Sequence, residues 1–285
     1  MLRRALVSML AVGLASLPVV SLAYDIKPKT PDTAFGGKQR PDILGINAES
    51  TAESARAVFD SLFKEHTDTK TDIQQQTFGN INFVTALNFN LPAGPKQTGE
   101  LLSSSFSSPA SANRVYFIAR NLTFAQDQQP SKADMIKEIM GKYGIPTLIG
   151  DQHLYYIYRS GSIVSVGAKY KDTTALETID KPLDPRAALK LNGDNGRGSC
   201  VAVIKRAQTK EKALGAMLDE AKGANCDGVL SVQLVPGTPP DRVGIAQFTL
   251  LDIKRVISAA AIDNEAIAAE QNERKSMPKG NAPKL

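Results

Sequence analysis

The stretch Ser131 to Val164, SKADMIKEIMGKYGIPTLIGDQHLYYIYRSGSIV, constrains the fold more than any other part of the chain. Ser131 and Asp134 have the spacing of a capping box, in which a hydroxyl accepts from the amide one turn on while the carboxylate reaches back. Met135, Ile136, Ile139, Met140 and Tyr143 then recur at helical spacing and form one apolar stripe. Gly144 suits the left-handed stop, and Pro146 prevents the helix from continuing. His153 to Arg159 is rich in aromatic and β-branched side chains, Ser160-Gly161 supplies a turn, and Ile163 to Val166 continues as a second strand. The unit is therefore helix, strand, strand.

Ser50 and Glu53 repeat the capping-box spacing ahead of a stripe of Ala55, Val58, Phe59, Leu62 and Phe63, so the unit is expected twice. Strands are expected at Ile73 to Phe78, a polar edge, and at Asn82 to Leu91, with Phe83, Thr85, Leu87, Phe89 and Leu91 on one face. Further strands are expected at Glu100 to Phe106, Arg114 to Phe124, Cys200 to Ile204, Gly228 to Val235 and Ile245 to Leu251. Thr209 to Gly223 has a helical stripe, and a closing helix runs from about Asp252 towards Glu270, burying Ile253, Val256, Ile257 and Ala260. The expected class is α+β, mainly antiparallel sheet with two helix–strand–strand modules and a C-terminal helix. The modules are placed at residues 42–127 and 128–275, the second with an insertion at Lys169 to Gly198, and residues 276–285 are expected to be a disordered tail.

Arg3 and Arg4 precede an apolar run from Ala5 to about Val20, and Ser21-Leu22-Ala23 follows with small residues where a signal peptidase inspects them. Residues 1–23 are expected to be a secretory signal peptide, and the proline- and glycine-rich residues 24–41 a flexible leader. No cysteine stands at the cleavage point to anchor a lipid, and no later stretch is apolar enough to span a bilayer. The net charge of +5 falls to +3 once Arg3 and Arg4 are removed, too slight an excess to imply nucleic acid or an anionic membrane as partner.

No cofactor motif is present. Asn192 to Gly198 lacks the oxygen spacing of a calcium loop and the Lys-Ser/Thr of a phosphate loop, so it is taken as a turn. His66 and His153 are the only two histidines, which leaves little material for imidazole acid–base or metal chemistry. Two readings of Tyr155, Tyr156 and Tyr158 are open: an aromatic surface that contacts a ligand or partner, or cover for the sheet, with the second preferred. Cys200 and Cys226 are the only cysteines, and in an oxidising compartment they are expected to bridge.

The signal peptide, together with helix–strand–strand units whose second helix closes in Lys142-Tyr-Gly-Ile-Pro146, resembles the small outer-membrane-assembly lipoproteins (SmpA/OmlA) and the tandem modules of β-lactamase inhibitory proteins. The chain departs from the lipoproteins in lacking the anchoring cysteine, and from both in its insertion and closing helix. The resemblance implies a non-enzymatic protein that presents a sheet surface to another envelope protein. The expected function is thus that of a periplasmic binding or interaction protein. The alternative is a periplasmic hydrolase built around Asp151, His153 and Tyr155 with a distant serine, although no nucleophile-elbow motif accompanies them. Export is directly checkable. Mass spectrometry of protein from its native host should find the N-terminus at Tyr24, and an intact Met1 would refute export.

Overall fold

Side chains alternate in direction along a strand, so a sheet that is apolar on both sides must be covered twice. The computed structural model describes residues 26–37, 40–149, 152–164, 200–209, 213–224 and 226–276, and it has this layered arrangement. In chain order the elements are α1 (Ala52–Phe63), β1 (Lys70–Phe78), β2 (Ile81–Leu91), β3 (Gly99–Phe106), β4 (Val115–Thr123), α2 (Lys132–Tyr143), β5 (Leu148–Ile149), β6 (His153–Arg159) and β7 (Ser162–Ile163). They continue with α3 (Cys200–Thr209), α4 (Leu214–Ala221), β8 (Gly228–Pro236), β9 (Val243–Asp252) and α5 (Ile253–Ser276).

The class is α+β, with one antiparallel sheet in the order β1-β2-β3-β4-β9-β8-β6-β5 and β7 paired to β6. β4 pairs with β9 from Phe117↔Leu251 to Thr123↔Ile245, so residues of both expected modules share a single sheet. The first face packs Phe59 and Phe63 of α1 and Ile139 of α2 over Leu87, Phe89, Leu102, Ile118, Tyr156, Tyr158, Leu230 and Leu250. The second packs α3, α4 and α5 over Phe117, Tyr155, Ile157, Val229 and Leu251.

Local chemistry explains the helix starts. Ser131 caps α2, accepting from the Asp134 amide at 3.1 Å while its own hydroxyl donates to Asp134 Oδ2 at 2.6 Å. At α1 the cap lies one residue later than expected. Thr51 Oγ1 accepts from the Ser54 amide and Ser54 Oγ accepts from the Thr51 amide, so Thr51 and Ser54 replace Ser50 and Glu53 as the box.

Three further expectations need correction. Cys200 to Ile204 begins helix α3 and is not a strand. Its β-branched run favours a strand by propensity, but Cys200, Val203, Ile204 and Ala207 are buried at helical spacing, and tertiary packing overrides local preference. In β2, Gln74 pairs with Ala86 but Gln75 pairs with Val84, which leaves Thr85 as an extra, bulged residue. The bulge puts Val84, Leu87, Phe89 and Leu91 against the first core and turns Phe83 and Thr85 to the other side. In α5, Ala259 is buried where Ile257, at 40 % exposure, had been expected.

The leader also differs from its expected mobility. Within residues 26–37, Ala34 and Phe35 are buried, and the Phe35 ring meets Tyr158 edge-on at 4.9 Å. Asp252, at the β9–α5 junction, holds the segment: Oδ2 accepts from Thr33 Oγ1 at 2.6 Å and Oδ1 from the Ala34 amide at 3.0 Å. Gly228 is what admits it, because a Cβ there would lie 2.7 Å from Ala34 Cβ.

The segments expected to be a signal peptide, an insertion and a C-terminal tail lie outside the described residues. Among the described residues no helix is long and apolar enough to cross a membrane. Phe59 is fully buried between α1 and Phe89, 4.6 Å away between ring centroids. Phe59→Ala should lower the unfolding free energy by about 3–5 kcal/mol through cavity formation, measured by urea titration. An unchanged midpoint would mean that α1 does not bear on the core.

Candidate functional site

A cleft of about 410 Å³ lies beneath α2, within the range of ligand pockets. Its roof is the stripe that defines α2 in the sequence: Met135, Ile139 and Tyr143 face inward while Glu138 and Lys142 stand at the margin. Arg120 of β4 and Phe248 of β9, directly paired across the sheet, make the floor.

The remaining wall is the turn Asp42 to Ile46, where Leu44 (φ 57°) and Gly45 (φ 82°) are both left-handed and Ile43 pairs with Ile46. A left-handed leucine is uncommon and costs of order 1 kcal/mol, so the surrounding bonds must impose it. Asp42 supplies them. Its Oδ1 accepts from the Gly45 amide at 2.8 Å and from Lys142 Nζ at 2.9 Å, and its carbonyl accepts from Tyr143 OH at 2.8 Å. The turn is thereby clamped to the end of α2, and Leu44 is held at the cleft.

The cleft combines apolar walls with one well-placed cation. Arg120 Nε donates to Glu100 Oε1 at 2.7 Å, and its Nη groups make no further bond among the described residues. Lys142 is engaged by Asp42, and Asp134 by Ser131. The arrangement suits a group with an apolar body and an acceptor end. It offers no nucleophile–base pair, and among the described residues no cluster of acidic, histidine or cysteine side chains is placed to hold a metal.

The residues singled out in the sequence lie elsewhere. Tyr155, Tyr156 and Tyr158 are 1 %, 0 % and 1 % exposed, so the surface-contact role gives way to a core role. Tyr156 and Tyr158 serve the α1/α2 face and Tyr155 the opposite one, as strand alternation demands. The His153 ring lies parallel to Tyr155 at 5.7 Å, and Asp151 lies outside the described residues. Cys200 and Cys226 form a disulfide with Cα atoms 6.0 Å apart, tying the start of α3 to the approach to β8. Closing a loop of this length is worth on the order of 3 kcal/mol in the chain-entropy account. The α2 stripe was visible as a stripe, but Arg120, Phe248 and Leu44 were not visible as its partners, because only the sheet order brings them together.

Burial has one titratable consequence. The Tyr155 phenol is pushed up to about 12, chiefly by burial, and Tyr143, Tyr156 and Tyr158 are raised from their ordinary value for the same reason. A pKa higher in the folded than in the unfolded chain contributes stability below the unfolded value, near 10, that is lost as pH rises towards the folded one. The urea midpoint should therefore fall between pH 10 and 12, and less steeply in Tyr155→Phe. Equal slopes in the two proteins would show that Tyr155 ionises freely in the folded state.

No protein-family model matches this chain, and neither a curated protein nor a solved structure matches it.

Proposed function

We propose that the chain is an exported binding protein that engages another envelope protein, and that the cleft beneath α2 receives the partner. The observation behind this reading is the cleft itself: apolar walls from Leu44, Met135 and Phe248 around an arginine whose Nη groups have no partner among the described residues. Such a pocket takes an apolar anchor that carries a carboxylate or carbonyl at its tip, the combination that supplies affinity at the centre of many interfaces. Met135 and Leu44 are half-buried, and the thioether chain adapts to an incoming shape at little cost. The leader at residues 1–23 and the likeness to envelope-assembly modules support the same compartment and partner class.

Site-specific photocrosslinking tests this in the native host. A photoreactive residue at Met135 or Leu44 should give one discrete adduct with an envelope protein. The same residue at Lys222, exposed on the opposite side of the sheet, should give none. Equal adducts from all three positions, or none from the cleft, would refute the reading.

A further inference from the structure

A second cleft, of about 190 Å³, opens on the opposite face of the sheet, between β1–β4 and helices α4 and α5. Two β-bulges shape it. The register shift at Gln74/Gln75 makes Thr85 the extra residue of β2, and the shift at Ser105/Phe106 makes Tyr116 the extra residue of β4. Both extra residues line this cleft, in keeping with the tendency of bulges to re-aim side chains beside sites.

Its polar groups are incompletely satisfied. Ser105 is 2 % exposed, lines the cleft, and its Oγ has no hydrogen-bond partner among the described residues. A buried hydroxyl left in that state is costly, and such groups ordinarily find a partner. Asp263 of α5 faces the same space. Its Oδ1 accepts from Ser108 at 2.6 Å and Ser111 at 2.7 Å, while Oδ2 takes no hydrogen bond among the described residues. The Gln76 amide and the Thr85 hydroxyl, also in the lining, make none either.

We propose that this cleft binds a neutral sugar ring, with Ser105, Gln76 and Asp263 Oδ2 meeting its hydroxyls and Phe83 lying against its apolar edge. A sugar hydroxyl both donates and accepts, which is what a seryl hydroxyl, an amide and a free carboxylate oxygen together require. Among the described residues no lysine or arginine lines the cleft, and the carboxylate of Asp263 disfavours an anion beside it. A wholly apolar ligand would leave Ser105 Oγ and Asp263 Oδ2 without a hydrogen bond. The volume equals that of roughly six waters, the size of a single ring rather than a chain. The site is separate from the α2 cleft, so either can fail without the other.

The test is an NMR titration of the disulfide-bonded protein with glucose, galactose and N-acetylglucosamine, alongside spermidine and inorganic phosphate. At least one sugar should give saturable shifts at the amides of Gln76, Thr85, Ser105 and Asp263. Gln76→Ala, at an exposed position, and Ser105→Ala should each weaken binding about fivefold, the loss of one hydrogen bond. Ser105→Ala should not lower the melting temperature, because it removes a hydroxyl that has no partner. The proposal is overturned if no sugar gives saturable shifts, if the shifts fall at the α2 cleft, or if spermidine or phosphate binds more tightly than any sugar. Sugar affinity unchanged in both variants would overturn it equally.

Discussion

The carboxylate of Asp252 is the point on which the architecture depends. It lies at the junction of β9 and α5, 2 % exposed, and accepts from Thr33 Oγ1, the Ala34 amide and the Arg255 amide. Burial pushes its pKa up, while Arg255 and these bonds oppose that shift. Arg255, fully buried, sits 3.8 Å from Asp252 and 3.9 Å from Glu49, and its Nη1 donates to the Val115 carbonyl at 3.3 Å. One buried ion pair therefore touches the N-terminal segment, the approach to α1, the start of β4 and the first turn of α5. A pair of this kind adds little net stability over an apolar substitute, yet leaving either charge alone costs several kcal/mol. What it specifies is position: the four segments meet where the Asp252 carboxylate takes its three hydrogen bonds and the Arg255 guanidinium reaches the Val115 carbonyl.

That placement determines which parts of the sheet are covered. With α5 anchored at Asp252, its first half buries Ile253, Val256 and Ala259 against the second face, and Asp263 follows beside the serines of the Ser107–Ser111 loop. On the first face, α1 and the segment holding Phe35 fill the space over β2, β3 and β8, and α2 closes the rest incompletely. The two clefts are thus of different character. The one under α2 is mainly apolar with a single arginine, and the one under α4 and α5 is lined by hydroxyls, amides and a carboxylate.

Much of the fold was legible because its signals are local. The capped stripe from Ser131 to Tyr143 and the left-handed Ser160-Gly161 turn act within a few residues. Cys200 to Ile204 misled because a β-branched run satisfies either geometry, and only Ala207, one turn on, completes the helical stripe. The bulge at Thr85 has no local signature, so the alternation of β2 was read straight through it. Residues 26–37 look like a linker by composition, and their order comes from a carboxylate more than two hundred positions away in the chain. The sites were least legible, since Ser108 meets Asp263 across 155 positions and Arg120 meets α2 only through the sheet order. Pairings at that separation leave no periodicity to read.

The claim that Asp252 makes the N-terminal segment part of the folded unit is tested most directly by native-state hydrogen exchange at the Ala34 amide. If that amide is held by the buried carboxylate, it should exchange only through global unfolding, with the same protection as Leu250 in β9 and the same dependence on urea. In Asp252→Asn the Ala34 protection should fall towards that of the rest of the protein's loops. Rapid exchange of Ala34 in the unaltered protein, while Leu250 stays protected, would contradict the account and leave the segment as a loose leader.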